Sequence, residues 1–117
     1  MSLETTLVAL ARTVCPRVSP DAAILGVDVP YITYLHVGGT PLRYVDNTAS
    51  DKRHAVMQLT VWHTTRAECL ALIRQLEEVL CGTSAFVADP QGEINGQSEP
   101  ELKLYGISQD FSIVAPR

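Results

Sequence analysis

The side chains best able to do chemistry in this 117-residue chain are three histidines, His36, His54 and His63, and three cysteines, Cys15, Cys69 and Cys81. A metal site needs several such groups at ligand spacing. His54 and His63 lie nine positions apart in one extended segment, roughly 30 Å along a strand, so one subunit cannot bring both to one ion. His36 can approach His54 or a neighbour if their strands pair, but no carboxylate or cysteine accompanies them at ligand spacing. Cys69 and Cys81 sit about 18 Å apart on one helix, beyond the roughly 7 Å reach of a disulfide. Both are expected to pack as small apolar residues. Cys15 precedes a proline and has no histidine nearby to activate it. An odd cysteine count without a CxxC pair fits a reducing compartment.

No nucleophile elbow, HExxH, dinucleotide fingerprint, P-loop or paired-carboxylate pattern is present. Gly38-Gly39 is a turn, because it lacks the third glycine and following helix of a phosphate cradle. The expectation is therefore no catalytic residue, no metal and no cofactor. Charge narrows the partners. With 9 basic and 13 acidic residues and a net charge of −4, the chain has no cluster of Lys and Arg to displace counterions from phosphates, so tight nucleic-acid binding is not expected. No stretch approaches the ~18 apolar residues of a membrane span. Residues 1–11 have neither the basic start nor the long apolar run of a signal peptide.

The elements that position these residues read as one domain over residues 1–117, with 46% apolar and 19% charged residues. Leu3, Leu7, Leu10, Ala11 and Val14 recur at helical spacing behind Ser2 as N-cap, and Pro16 stops that helix. Pro16 to Pro30 is turn-rich around a short apolar patch at residues 22–25. Tyr31 to Val37 is a strand by residue type, ended by Gly38-Gly39. Thr40 to Arg53 is polar and long for a hairpin loop; it either strays from the body of the domain or forms a mobile two-stranded arm. His54 to His63 alternates, with Ala55, Met57, Leu59 and Val61 on one face.

Thr64 or Thr65 then caps a helix running to about Leu80, with Cys69, Leu72, Ile73, Leu76, Val79 and Leu80 as its apolar stripe and Gly82 as its stop. Ser84 to Ala88 reads as a short strand and Asp89 to Pro100 as a loop. Leu102 to Val114 closes the chain, with Tyr105, Ile107, Phe111 and Ile113 on one face and Gly106 marking a bulge or bend. The expected fold is α+β, a mostly antiparallel four-stranded sheet with two helices on one face in the order α-β-β-α-β-β. Its core gathers Met57, Leu59, Val61, Leu72, Ile73, Leu76, Phe111 and Ile113. Both faces of Tyr31–Val37 are largely apolar, and Trp62 and Val56 oppose the core face of their strand. A sheet with helices on one side needs only one such set. Two explanations stay open: cover from the Pro16–Pro30 segment, or packing on a neighbouring subunit.

Several stretches in order carry a resemblance. After the apolar helix come Val29-Pro30-Tyr31-Ile32-Thr33-Tyr34, then Val56-Met57-Gln58-Leu59-Thr60-Val61-Trp62. The helix of Ala67, Leu70, Ile73, Leu76 and Leu80 follows, and Asp110-Phe111-Ser112-Ile113-Val114 ends the series. This layout, over nearly the whole chain, resembles the tail-completion, or tail-terminator, proteins of long-tailed bacteriophages and prophages. Cys15 to Asp28 departs from that pattern in lacking a glycine-rich turn and a short strand. The resemblance implies a ring of identical subunits, usually six, that caps the head-proximal end of the tail tube and joins tail to head. Its partners would be further copies of itself, the tail-tube protein and a head–tail connector protein. It would be made in the bacterial host cytoplasm and end in the virion tail, acting by shape and not as an enzyme.

The polar segment supplies the candidate subunit interface: Arg43, Tyr44, Asp46, Asp51, Lys52 and Arg53, a mixture that suits a neighbour better than a core. The competing class is a dimeric α+β domain that binds a small ligand or does cofactor-free chemistry, with Trp62, Tyr34 and His36 lining a pocket. Oligomeric state discriminates the two.

Overall fold

The computed structural model describes residues 3–20, 30–39, 52–99 and 104–116. The Ser2 cap, the apolar patch at residues 22–25, the segment 40–51 and the predicted strand start at Leu102 lie outside the described residues. Two helices and five strands follow in the order α1 (Leu3–Ala11), β1 (Val18–Pro20), β2 (Tyr31–Gly38), β3 (Lys52–His63), α2 (Arg66–Gly82), β4 (Val87–Glu99) and β5 (Leu104–Pro116). The sheet order is β1-β2-β3-β5-β4. β1 runs parallel to β2, and the other three pairs are antiparallel. The class is α+β as expected, but the sheet has five strands and is mixed, not four-stranded and antiparallel.

The additional strand falls where the sequence suggested none. Val18–Pro20 joins β2 because the carbonyl of Arg17 accepts from the Ile32 N–H at 2.8 Å. The Arg17 guanidinium in turn donates through Nε to the Pro30 carbonyl at 3.0 Å, and the Cys15 thiol donates to that same oxygen at 3.1 Å. Three residues are too few to show a period, so only the pairing reveals the strand.

β4 is the second difference. Asp89–Pro100 reads as a loop by composition, yet the chain is strand from Val87 to Glu99, and the strand starts three residues later than Ser84. β5 needs a partner on its outer side for its backbone groups. As the outermost strand, β4 leaves most of its side chains in solvent, so polar residues are tolerated. Its irregularity is a register shift between Gln91 and Asn95, where Gly92 takes φ 74°. The bulge foreseen at Gly106 is not there: Gly106 pairs with Trp62 in an unbroken register along β3 and β5.

Most of the core forms as the periodicities predict, although Tyr105, expected on the same face as Phe111, is exposed and Val79 of the helix stripe is only half-buried. Ala55, Met57, Leu59 and Val61 of β3 are buried, and Ile107, Phe111 and Ile113 of β5 join them. α2 adds Cys69, Ile73, Leu76 and Leu80, and α1 adds Leu3, Leu7 and Ala11. Both helices therefore bury their stripes on the same face of the sheet. Leu72 is packed against the cluster but only half-buried. Thr65 is the N-cap of α2, its Oγ1 accepting from the Glu68 N–H at 3.4 Å, which satisfies one of the free N–H groups of the first turn.

Candidate interaction surface

The register fixes what each face of the sheet presents. On the face away from the helices lie Tyr31, Thr33 and Leu35 of β2, and His54, Val56, Gln58, Thr60 and Trp62 of β3. Ser108, Asp110 and Ser112 of β5 and Asp89 and Gln91 of β4 extend the rows across it. One end of this face is closed. Tyr31 and Trp62 are only 2% and 6% exposed, their rings stacked with centroids 6.4 Å apart. The Trp62 indole N–H donates to Thr33 Oγ1 at 3.0 Å. The other end is open, with Leu35 40%, Val37 44% and Val87 63% exposed. The second apolar set thus divides into a buried aromatic corner beside β1 and an exposed aliphatic end. In the middle, one carboxylate oxygen of Asp110 is buried with no hydrogen-bond partner among the described residues.

The histidines do not converge. His36 pairs in register with Met57, not His54, and its Nε2 meets the Gly38 carbonyl at 2.9 Å. His54 Nε2 lies 2.6 Å from Ser112 Oγ. His63 Nδ1 accepts from the Thr64 N–H at 2.7 Å, which leaves Nε2 to donate to Glu68 at 3.0 Å. Among the described residues, no three His, Cys, Asp or Glu side chains are grouped to hold a metal. Also among them, no helix is long and apolar enough to cross a membrane.

Cys69 is buried as expected and Cys15 is buried too, but Cys81, expected to pack as well, is exposed. It follows Leu80 one position off the buried stripe, so helical geometry turns it outward. Burial raises the thiol pKa of Cys69. For Cys81 burial of part of the side chain and the charges of Glu77, Asp89 and Glu78 act in the same direction. Both thiols are held protonated and are poor nucleophiles.

The pocket imagined for a ligand-binding domain does not form from the named residues. Tyr34 and His36 sit on the helix face, opposite Leu59 and Met57. Trp62 points to the other side, so the three cannot line one cavity. A polar recess of about 230 Å³ lies between α2 and the β4 bulge, lined by Arg74, Glu77, Ile94 and Gln109 among others. That is below the ~300–1,000 Å³ usual for ligand sites.

Of the six interface candidates, Arg43, Tyr44, Asp46 and Asp51 lie outside the described residues. Lys52 is exposed at the start of β3. Arg53 is taken up within the chain: its guanidinium meets the Glu4 carboxylate at 3.0 and 3.3 Å, tying the first turn of α1 to β3. Partial burial pushes the Glu4 pKa up, but a backbone hydrogen bond and Arg53 outweigh it and hold the pKa below its ordinary 4.5. A lowered folded-state pKa stabilises the protein above the ordinary value and ceases to do so as pH falls through the lowered one. Because both partners are part-exposed, the pair is worth at most about 1 kcal/mol. Glu4→Gln should therefore lose that much or less at pH 7 in urea unfolding, with the difference fading below pH 4.5. A gap that stays constant down to low pH would show that the Glu4 charge contributes nothing.

Among the described residues, this α+β chain covers one face of its sheet with helices and leaves Leu35, Val37 and Val87 exposed. The family described as Tail completion protein gp17 matches residues 4–115. The chain belongs to that family, and it is a structural protein of the phage tail. A search of curated proteins finds no match.

Proposed function

We propose that this protein caps the head-proximal end of the tail tube as a ring of identical subunits, most simply six, and joins the tail to the head. The family match across residues 4–115 carries this reading. The exposed Leu35, Val37 and Val87 support it, because an aliphatic surface left open on a small chain suits a partner. The partners are further copies of the chain, the tail-tube protein and a head–tail connector protein. Arg43, Tyr44, Asp46, Asp51, Lys52 and Arg53 contact the neighbouring subunit, Arg53 while keeping its bond to Glu4. The subunit is made in the host cytoplasm, ends in the virion tail, and acts by shape without catalysis.

A ring at this position must let the genome pass without holding it. Each copy contributes −4, so the assembled ring carries a net charge of the same sign as the duplex and repels it. Purified protein mixed with tail tubes should give capped ends of uniform length in electron micrographs. A fluorescence titration with duplex DNA at physiological salt should show no measurable binding. Submicromolar DNA affinity with a steep salt slope, and bare tube ends, would overturn the proposal.

A further inference from the structure

The sheet face away from the helices carries an apolar stripe set obliquely to the strands. Leu35 of β2 shares a cross-strand row with Gln58, Asp110 and Gln91. The next row holds Val56, Ser112 and Asp89, and the one beyond it His54, Val114 and Val87. Leu35, Val56, Val114 and Val87 therefore step diagonally across β2, β3, β5 and β4. Leu35 and Val87 are exposed, and Val56 and Val114 are part-exposed. From Leu35 to Val87 the stripe crosses three strand spacings, about 14 Å, and climbs four residues, about 13 Å, so it lies at roughly 45° to the strands.

Charge is sorted by this stripe. Asp89 and Asp110 stand on one side of it. Lys52, two positions beyond His54 on the same face of β3, stands on the other. Asp89 and Lys52 are both exposed. A face with carboxylates on one side of an apolar line and a cation on the other is complementary to a second copy of itself.

We propose that two free copies of this chain pack these faces together about a two-fold axis lying along the stripe. Rotation about that axis sets each stripe on the other and carries Asp89 of each copy over the side of its partner that bears His54 and Lys52. It also turns the second set of strands by twice the inclination of the stripe, roughly 90°, which is the orthogonal class of sheet-on-sheet packing. Apolar side chains meet along the axis and charges pair at the rim. Lys52 already interacts within its own chain; its ammonium has three donors and can add a bond across the axis. A patch of three rows is small, which makes the dimer weak and reversible. The dimer goes beyond the ring reading and does not depend on it. A two-fold contact closes on itself and cannot grow, unlike the head-to-tail contacts of a ring. Because both draw on Lys52, the dimer keeps free subunits from joining into rings until a tube end offers a better contact.

Sedimentation velocity on the unaltered protein, Val87→Lys, Asp89→Lys, Lys52→Asp and an equimolar mixture of the last two tests the dimer. All three sites are exposed, so thermal melting should change little. The unaltered protein should pass from monomer to dimer through the micromolar range and stop at two chains. Each variant alone should dimerise about tenfold more weakly or worse, because the axis then brings like charges together. The mixture should recover a dimer with one chain of each kind, since every contact between positions 52 and 89 then joins opposite charges. A monomeric unaltered protein, a Val87→Lys variant that dimerises normally, a mixture no tighter than its components, or growth of the mixture past two chains would each overturn the dimer. Electron microscopy with tail tubes keeps the two readings apart. Capped tube ends from a protein that stays monomeric when free overturn the dimer and leave the ring standing. Dimers in solution with bare tube ends do the reverse.

Discussion

Phe111→Ala should cost about 3–5 kcal/mol, and Leu76→Ala about 2–5 kcal/mol, each measured as a shift in the denaturation midpoint. Phe111 and Leu76 are fully buried. Phe111 stands opposite Met57 on one side and Pro90 on the other, so its ring lies on the helix face where β3 and β5 meet α2. Leu76 comes down onto this face from α2, between Ile73 and Leu80. Truncating either removes apolar contact and leaves a cavity walled by three strands and a helix, which can relax only in part. Domains of this size are stable by only about 5–15 kcal/mol, so either change removes a large fraction. Leu72→Ala is the internal comparison. Leu72 is half-buried at the margin of the same cluster, and its loss should be visibly smaller. Equal losses at Leu72 and Leu76 would mean that the rotation of α2 on the sheet is not the one described.

The second large effect belongs to a glycine. Gly39→Ala should be far more damaging than Gly38→Ala, although the two are adjacent and both have positive φ, 147° and 133°. That conformation strains any side chain by about 1–3 kcal/mol, a loss common to both variants. Only at Gly39 does a new methyl meet the backbone of β3, driving into the His54 carbonyl oxygen and approaching the Ala55 Cα at 2.8 Å. At Gly38 nothing lies within 4 Å. A strand backbone cannot rotate aside as a side chain can, so overpacking adds roughly 1–3 kcal/mol more at Gly39 alone. Unfolding titrations of the two variants give the difference directly. Amide NMR shifts at His54 and Ala55 should move only for Gly39→Ala. Matching losses, or unmoved signals, would contradict the close approach of the two strands there.

In the proposed ring these two effects would bear on different things. Core truncation weakens the subunit as a whole, whereas Gly39 acts at the end of the sheet where Leu35 and Val37 are exposed. A damaged Gly39 should therefore disturb association at protein concentrations where the subunit is still folded.

Much of this protein is legible in residue order because its signals are local. The alternation from Ala55 to Val61 assigns one face of β3 to the core without reference to any other strand, since the side-chain period of a strand is two. The spacing of Cys69, Ile73, Leu76 and Leu80 does the same for α2 at the helical period. Thr65 opens that helix through an effect confined to its first turn, whereas Gly82, expected as its stop, is its last helical residue and the extended Thr83 is the C-cap. The separation of His54 from His63 follows from strand geometry alone, whereas the place of His36 needed the register of β2 on β3; the order of the longer elements was sufficient for the family resemblance.

What the tertiary structure decided is everything that depends on a partner distant in the chain. Val18–Pro20 is a strand only because Ile32 offers it an N–H. Val87–Glu99 is a strand because β5 needed a neighbour, and its place at the edge excused its polar composition. Composition reports what a side chain prefers, and on an edge strand the side chains are mostly in water whichever conformation the backbone takes. The opposite placement of Trp62 and Tyr34 likewise needed the register of β2 on β3, since a slip of one residue would have turned every side chain of β2 to the other face. Leu35–Gly38 and Asp89–Gln91 stand level in one sheet through three successive registers, none of which is written in either stretch.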